Sequence, residues 1–286
     1  MFQRPMEFAG SWYPAQAAAC EREIRGYWER PVVENAAQDD PARWGVVPHA
    51  GWVFSGHLAA RVFQLLAEEP PVQLVIVLGG HLRAADAIVA MTEGQWKTPF
   101  GAMSIHGGFR EALAELPAVV FEDEHRSVPD NSTELQLPFA HFKYPRAELL
   151  PLRVPPGPIA LQLGRKLADY LERSGLNAVA VASTDLTHYG PGYRFEPQGR
   201  GPAALRWVSE ENDPAFIDAV ASGDGERMLA TAANRHNACS AGAVAALNEV
   251  ALRHGQRFEP LEYATSQDAK AGDALNFVGY VGGVFR

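Results

Sequence analysis

Cysteine is scarce: Cys20 and Cys239 are the only two among 286 residues. Two thiols exclude a disulfide framework and a cysteine-rich zinc knuckle. Long hydrophobic runs are missing too. The longest, such as Leu74 to Leu78, fall far short of the ~20 residues that span a bilayer. The opening stretch MFQRPMEFAGSWYP has no apolar signal core, and the closing FVGYVGGVFR has no lipidation box. Positive charge is also short, with 25 Lys and Arg against 34 Asp and Glu, a net charge of −9. An acidic chain lacks the basic field of a nucleic-acid binder. There is no internal repeat and no low-complexity linker. These absences predict a soluble, cytoplasmic protein with no nucleic-acid or membrane partner.

What is present supports a large core: 47% of residues are hydrophobic and 21% charged. Apolar runs with β-branched residues alternate with helical patterns. Strands are predicted at Trp44–Gly51, Val72–Leu78, Ala87–Met91, Met103–Ile105, Glu148–Leu152, Asn177–Ser183, Phe258–Thr265 and Asn276–Phe285. Helices are predicted at Ala15–Trp28, Gly56–Leu66, Phe109–Leu116, Pro158–Arg173, Asp213–Ser222, Gly225–Ala233 and Ser240–His254. Thr133–Phe142 is helix-like, with Pro138 starting, kinking or ending it. The pattern is that of an α/β protein, with a sheet flanked by helices. The Pro/Gly-rich stretch Gly190 to Pro202 reads as a long surface loop beside a site rather than a boundary, so residues 1–286 read as a single domain.

Three polar motifs follow strand-like runs: Pro48-His49-Ala50-Gly51, Gly79-Gly80-His81, and Ser183-Thr184-Asp185-Leu186-Thr187-His188. Ligands in open α/β sheets bind beyond the carboxyl ends of strands, which is where these histidines and the carboxylate fall. Two imidazoles and one anionic group make a metal site with open positions. His49 and His81 are the candidate imidazoles, and Asp185 or Cys239 the anionic ligand. His188 is a further ligand or a general acid/base, since imidazole titrates near neutrality. Blander roles stand beside these: Asp185 as a turn cap and Cys239 as an inert thiol. Cys20 reads as structural, and His57, His106, His141 and His254 have no motif around them. A hydrolase built on Ser183 or Cys239, with His236 nearby, is the competing chemistry, but the G-x-S-x-G elbow is absent.

The motifs together resemble the Memo family, also called AmmeMemoRadiSam system protein B. Ala9-Gly10-Ser11-Trp12-Tyr13-Pro14 is similar to the family's opening AG-x-W-Y-P, and Pro48-His49-Ala50-Gly51-Trp52 to its PHAG-aromatic segment. Gly79-Gly80-His81 resembles its G-x-x-H turn, one residue shorter. Trp96 to Gly101 resembles W-x-TPLG, and Glu134 to Phe139 matches E-x-Q-L-P-F. Ser183 to Gly190 is similar to S-S-D-x-x-H-aromatic-G, and Asn237-Ala238-Cys239 to N-x-C-G. The resemblance implies a fold shared with class III extradiol ring-cleavage dioxygenases. It implies His49, His81 and Cys239 as metal ligands, with Asp185 beside or on the metal and His188 as acid/base. The implied cofactor is a redox metal, iron(II) or copper, with zinc as the alternative. Radical-SAM and AMMECR-type proteins are the implied partners, and animal relatives link the family to phosphotyrosine signalling.

The chain departs from the family pattern in places. Asn131 stands where the family has a histidine, with His125 six residues earlier as a candidate substitute. Ser240 replaces the glycine after the cysteine. Two functions follow as expectations. One is an oxidoreductase of the extradiol-dioxygenase type acting on a small molecule. The other is a non-catalytic binding, scaffold or metal-handling protein, in which Arg83 and Lys97 are candidate contacts for an anionic peptide.

Overall fold

A strand apolar at every position, such as Leu74–Gly79, is stable only when both of its faces are covered. The computed structural model describes residues 2–30, 41–269 and 275–286, and places helices on both sides of that strand. In chain order the first strands are β1 (Gln3–Arg4), β2 (Trp44–Val47), β3 (Leu74–Gly79), β4 (Ile88–Ala90), β5 (Gln95–Thr98) and β6 (Gly101–Ser104). They continue as β7 (Val119–Phe121), β8 (Glu148–Arg153), β9 (Ala178–Ser183), β10 (His188–Tyr189), β11 (Phe258–Thr265) and β12 (Phe277–Phe285).

A nine-stranded sheet runs β10-β12-β2-β9-β3-β8-β4-β7, with β11 also paired to β12. Its centre, β2-β9-β3-β8, is parallel throughout. β12 and β4 join this centre antiparallel, which makes the sheet mixed. Side chains alternate between two cores. Ile76 and Leu78 pack with Leu163, Leu167 and Val244 on one face, while Val75 and Val77 pack with Ile24, Phe63 and Phe139 on the other. Among the described residues no helix is long and apolar enough to cross a membrane.

On the first face, helices Pro158–Ser174 and Ala241–Arg253 approach closely at Gly164. A Cβ there would lie 2.3 Å from the Ala246 carbonyl oxygen. Backbone cannot retreat as a flexible side chain can, so Gly164→Val is expected to cost about 2–3 kcal/mol by overpacking. A fall in the urea midpoint at unchanged m-value would register it; a wild-type midpoint would refute the close approach.

The α/β expectation holds, with differences in detail. The helix predicted from Gly56 begins at Trp52. Gly56 is not a helix start but a contact point, where a Cβ would meet Trp52 at 2.9 Å and Tyr27 at 3.0 Å. Pro138 begins a helix, so the predicted Thr133–Phe142 element is two short helices, Asn131–Glu134 and Leu137–Lys143. A separate three-stranded sheet, β1-β5-β6, was not anticipated, nor was β7. The strand expected at Met103–Ile105 is the β6 edge of that sheet.

Candidate metal centre

Parallel strands deliver their carboxyl ends to one edge of the sheet, and the three motifs leave from there. β2 ends at Val47, two residues before His49. β3 ends at Gly79, two before His81. β9 ends at Ser183, two before Asp185. Cys239 arrives from the opposite direction, just ahead of the helix Ala241–Arg253. His49 Nε2 stands 3.0 Å from His81 Nε2 and 3.2 Å from Cys239 Sγ. The three ligand atoms all lie within 4.8 Å of one another.

Each of these groups is held by neighbours. Buried His49 turns Nδ1 to the Ser183 hydroxyl at 3.0 Å, which leaves Nε2 for the centre. Gln136 fixes that hydroxyl, donating to Ser183 Oγ at 3.2 Å and to the Pro48 carbonyl at 2.9 Å. The Asp185 N–H donates to Cys239 Sγ at 3.2 Å, and the Cys239 N–H returns to the Asp185 carbonyl at 3.1 Å. The His81 turn needs its glycines: Gly80 has φ +108°, and a Cβ on Gly79 would lie 2.4 Å from Ser132 Oγ. That same hydroxyl accepts the Gly80 N–H at 2.7 Å.

Asp185 stands beside the three-atom group rather than within it. Its Oδ1 accepts the His49 N–H at 2.7 Å. Its Oδ2 lies 3.9 Å from His49 Nε2 and 4.0 Å from His188 Nε2. His188 Nδ1 donates to the Leu186 carbonyl at 3.1 Å, so the neutral ring has a bare Nε2 facing the carboxylate. Burial lowers the His188 pKa, and Asp185 offsets this only in part. His81, Asp185 and His188 line a cleft of ≈ 1040 Å³.

A family model described as "Memo-like protein" matches residues 4–284, almost the whole chain. The chain belongs to this Memo-like family. The MEMO1 family protein MK0963 of Methanopyrus kandleri is 31% identical over 299 aligned residues, covering 99% of both chains. A MEMO1 family protein of Thermococcus onnurineus is 29% identical, with 97% of each chain covered. Among solved structures, the "uncharacterized protein JW3007" of Escherichia coli K12 has a TM-score of 0.52 at 12% identity. That match covers 84% of this chain and 98% of that one, and it bears on the fold alone.

The departures of this Memo-like chain have physical accounts. Asn131 lines the cleft and donates from Nδ2 to the His49 carbonyl at 3.1 Å. His125 does not take its place: it is exposed beside Glu124. Ser240 donates its N–H to Thr184 Oγ1 at 3.1 Å, tying the cysteine turn to β9. The hydrolase alternative loses its parts, since Ser183 is fully buried and His236 is exposed against Phe195. Arg83 and Lys97 are exposed and neither lines the cleft. The four unassigned histidines are engaged elsewhere: His57 with Glu262, His106 with Glu148 and Tyr170, His141 with Thr98, and His254 on Trp44. The motif reading missed Tyr193 and Tyr280 in the cleft wall, and Asp213 beneath Thr187.

Proposed function

We propose that this Memo-like protein holds one redox-active ion, iron(II) or copper with zinc as the alternative, through His49 Nε2, His81 Nε2 and Cys239 Sγ. We further propose that it acts as an oxidoreductase of the extradiol-dioxygenase type on a small electron-rich substrate. The convergence of those three ligand atoms within 4.8 Å beside an open cleft carries the reading. Bonds of ~2.0–2.3 Å to a tetrahedral ion set neighbouring ligands about 3.3–3.7 Å apart. The 3.0 and 3.2 Å separations here need to open by only a few tenths of an ångström. Two imidazoles and a thiolate suit iron, copper and zinc alike.

An ion so held would supply open coordination positions and, as iron or copper, one-electron chemistry. The chain's own residues do the rest. Ser183 and Gln136 hold the His49 ring, since a ligating Nε2 leaves the proton on Nδ1 to donate to the Ser183 hydroxyl. Asp185 fixes the His49 backbone through Oδ1, while its Oδ2 faces His188. His188 Nε2, bare in the neutral ring, accepts a substrate proton at the cleft wall.

Cys239 favours a second reading, metal handling without turnover. A thiolate in place of a carboxylate suits copper(I) or zinc as well as it suits iron. Anaerobic reconstitution with iron(II) or copper(I), followed by elemental analysis and anomalous scattering, tests the centre. About one ion per chain is expected, within roughly 2.0–2.4 Å of all three ligand atoms. An ion elsewhere, or none, overturns the centre. Turnover of electron-rich phenols by the loaded protein separates the two readings.

A further inference from the structure

We infer that the cleft selects an aromatic ligand carrying a positive charge and rejects anions. This rests on the reading that the cleft is where the protein binds its substrate, and it names that substrate's class. Six aromatic residues line the cleft, Trp12, Tyr13, Trp52, Phe54, Tyr193 and Tyr280, of which Tyr13, Trp52 and Tyr280 are nearly buried. Trp12 and Tyr193 remain 39% and 46% exposed, among the few large hydrophobic side chains left open. Tyr193 meets the His188 ring edge-on at 5.0 Å, which carries the aromatic wall down to the polar floor. Exposed rings such as those of Trp12 and Tyr193 stack on aromatic ligands and attract cations.

The charges point the same way. Among the described residues that line the cleft there is no lysine or arginine, but there are two carboxylates, Glu23 and Asp185. Glu23 sits on the helix Ala17–Trp28 and accepts the Tyr27 hydroxyl at 2.6 Å. That hydroxyl also reaches the Trp52 carbonyl at 2.9 Å, which places Glu23 against the aromatic wall. The nearby Arg30 guanidinium lies over the Tyr27 ring, 5.2 Å from its centroid, and is not part of the lining. Asp185 faces only histidines as ion-pair partners, and burial holds His188 toward its neutral form. The charge of a bound ion must be counted too. A divalent ion balanced by the Cys239 thiolate keeps one positive charge, so against the two carboxylates the cleft stays negative by one.

Among the described lining residues an arriving carboxylate or phosphate would meet no guanidinium fork and two like charges. A ring bearing an ammonium group meets the reverse: stacking on the exposed Trp12 and Tyr193 rings, and the carboxylate of Glu23.

Three probes with one ring and matched side chains test this: 4-(2-aminoethyl)phenol, 4-(2-hydroxyethyl)phenol and 4-hydroxyphenylacetate. Each is titrated into the full chain at pH 7 and low salt, by calorimetry and tryptophan fluorescence. The amine is expected to bind on the order of tenfold tighter than the acid, with the alcohol between. Glu23→Gln is expected to shrink that gap several-fold, and Trp12→Ala to weaken all three alike. The inference is overturned if the acid binds as tightly as the amine, if Glu23→Gln leaves the gap intact, or if no probe binds. Metal content measured on the same samples keeps the two proposals apart. Bound metal without charge preference sinks only this inference, whereas charge preference without metal sinks only the metal centre.

Discussion

A His49→Ala/His81→Ala double variant is expected to fall from about one bound ion per chain to background. Loss of a hydrogen-bond partner behind a ligand already costs roughly 10–100-fold in metal affinity. Removing two of three donor atoms should therefore cost on the order of 10⁴-fold or more. His81 is exposed, so its loss leaves the fold alone. His49 is buried, so circular dichroism must accompany the metal analysis. Cys239→Ser provides a variant with less risk to the fold, because the backbone link from Cys239 N–H to Asp185 remains. A serine hydroxyl stays protonated and is a hard donor, so copper(I) affinity should fall further than iron(II) affinity. Wild-type metal content in a folded double variant would remove the centre.

The residues that converge were readable in the sequence because parallel strands end at one edge. Val46-Val47, Leu74 to Leu78 and Ala178 to Ala182 each read as buried strands, and each is followed within a few residues by His49, His81 or Asp185. The choice between Asp185 and Cys239 was not readable from spacing, because Cys239 reaches the site from a helix start rather than a strand end. The resemblance named it, and the 3.2 Å separation from His49 places it there. The loop Gly190 to Pro202 was read as lying beside a site, and its Tyr193 does line the cleft.

The parts left unread depend on pairings across long separations. The small sheet joins Gln3–Arg4 to Gln95–Thr98, and four residues with Lys97 outward give too little alternation to mark a strand. Buried Arg4 pairs with Glu122 at 2.7 Å, and Arg153 with the same carboxylate at 2.6 Å. Arg153 also approaches Asp130, which caps the turn carrying Ser132. Nothing local to any of these residues signals that they brace the His81 loop.

Asp213→Ala is expected to lower stability by about 3–5 kcal/mol, and to loosen the site as well. Asp213 is fully buried, and its carboxylate accepts the Thr187 N–H at 3.0 Å, the Thr187 hydroxyl, and the Tyr263 hydroxyl at 2.8 Å. Alanine would leave the two buried Thr187 donors and the half-buried Tyr263 hydroxyl without an acceptor, the buried ones each costing roughly 1–3 kcal/mol. Thr187 lies between Asp185 and His188, so the turn that presents both loses its anchor. Gly279 of β12 is part of the same fit, since a Cβ there would lie 1.8 Å from Asp213 Oδ2. The carboxyl also makes stability depend on pH. Burial raises its pKa from 3.8 to about 6, with the Thr187 and Tyr263 donors pulling only partly the other way. Between those values the folded protein keeps a proton that the unfolded chain has released. Stability from this group is therefore greatest below pH 3.8 and is lost as pH rises through about 6, a change of about 3 kcal/mol. Asp213→Asn removes the titration, so its stability curve should be flatter than wild type between pH 4 and 6. Urea unfolding at pH 5 and pH 7 measures both effects. An alanine variant within 1 kcal/mol of wild type, or an unchanged slope in the asparagine variant, would show that Asp213 does not anchor the turn.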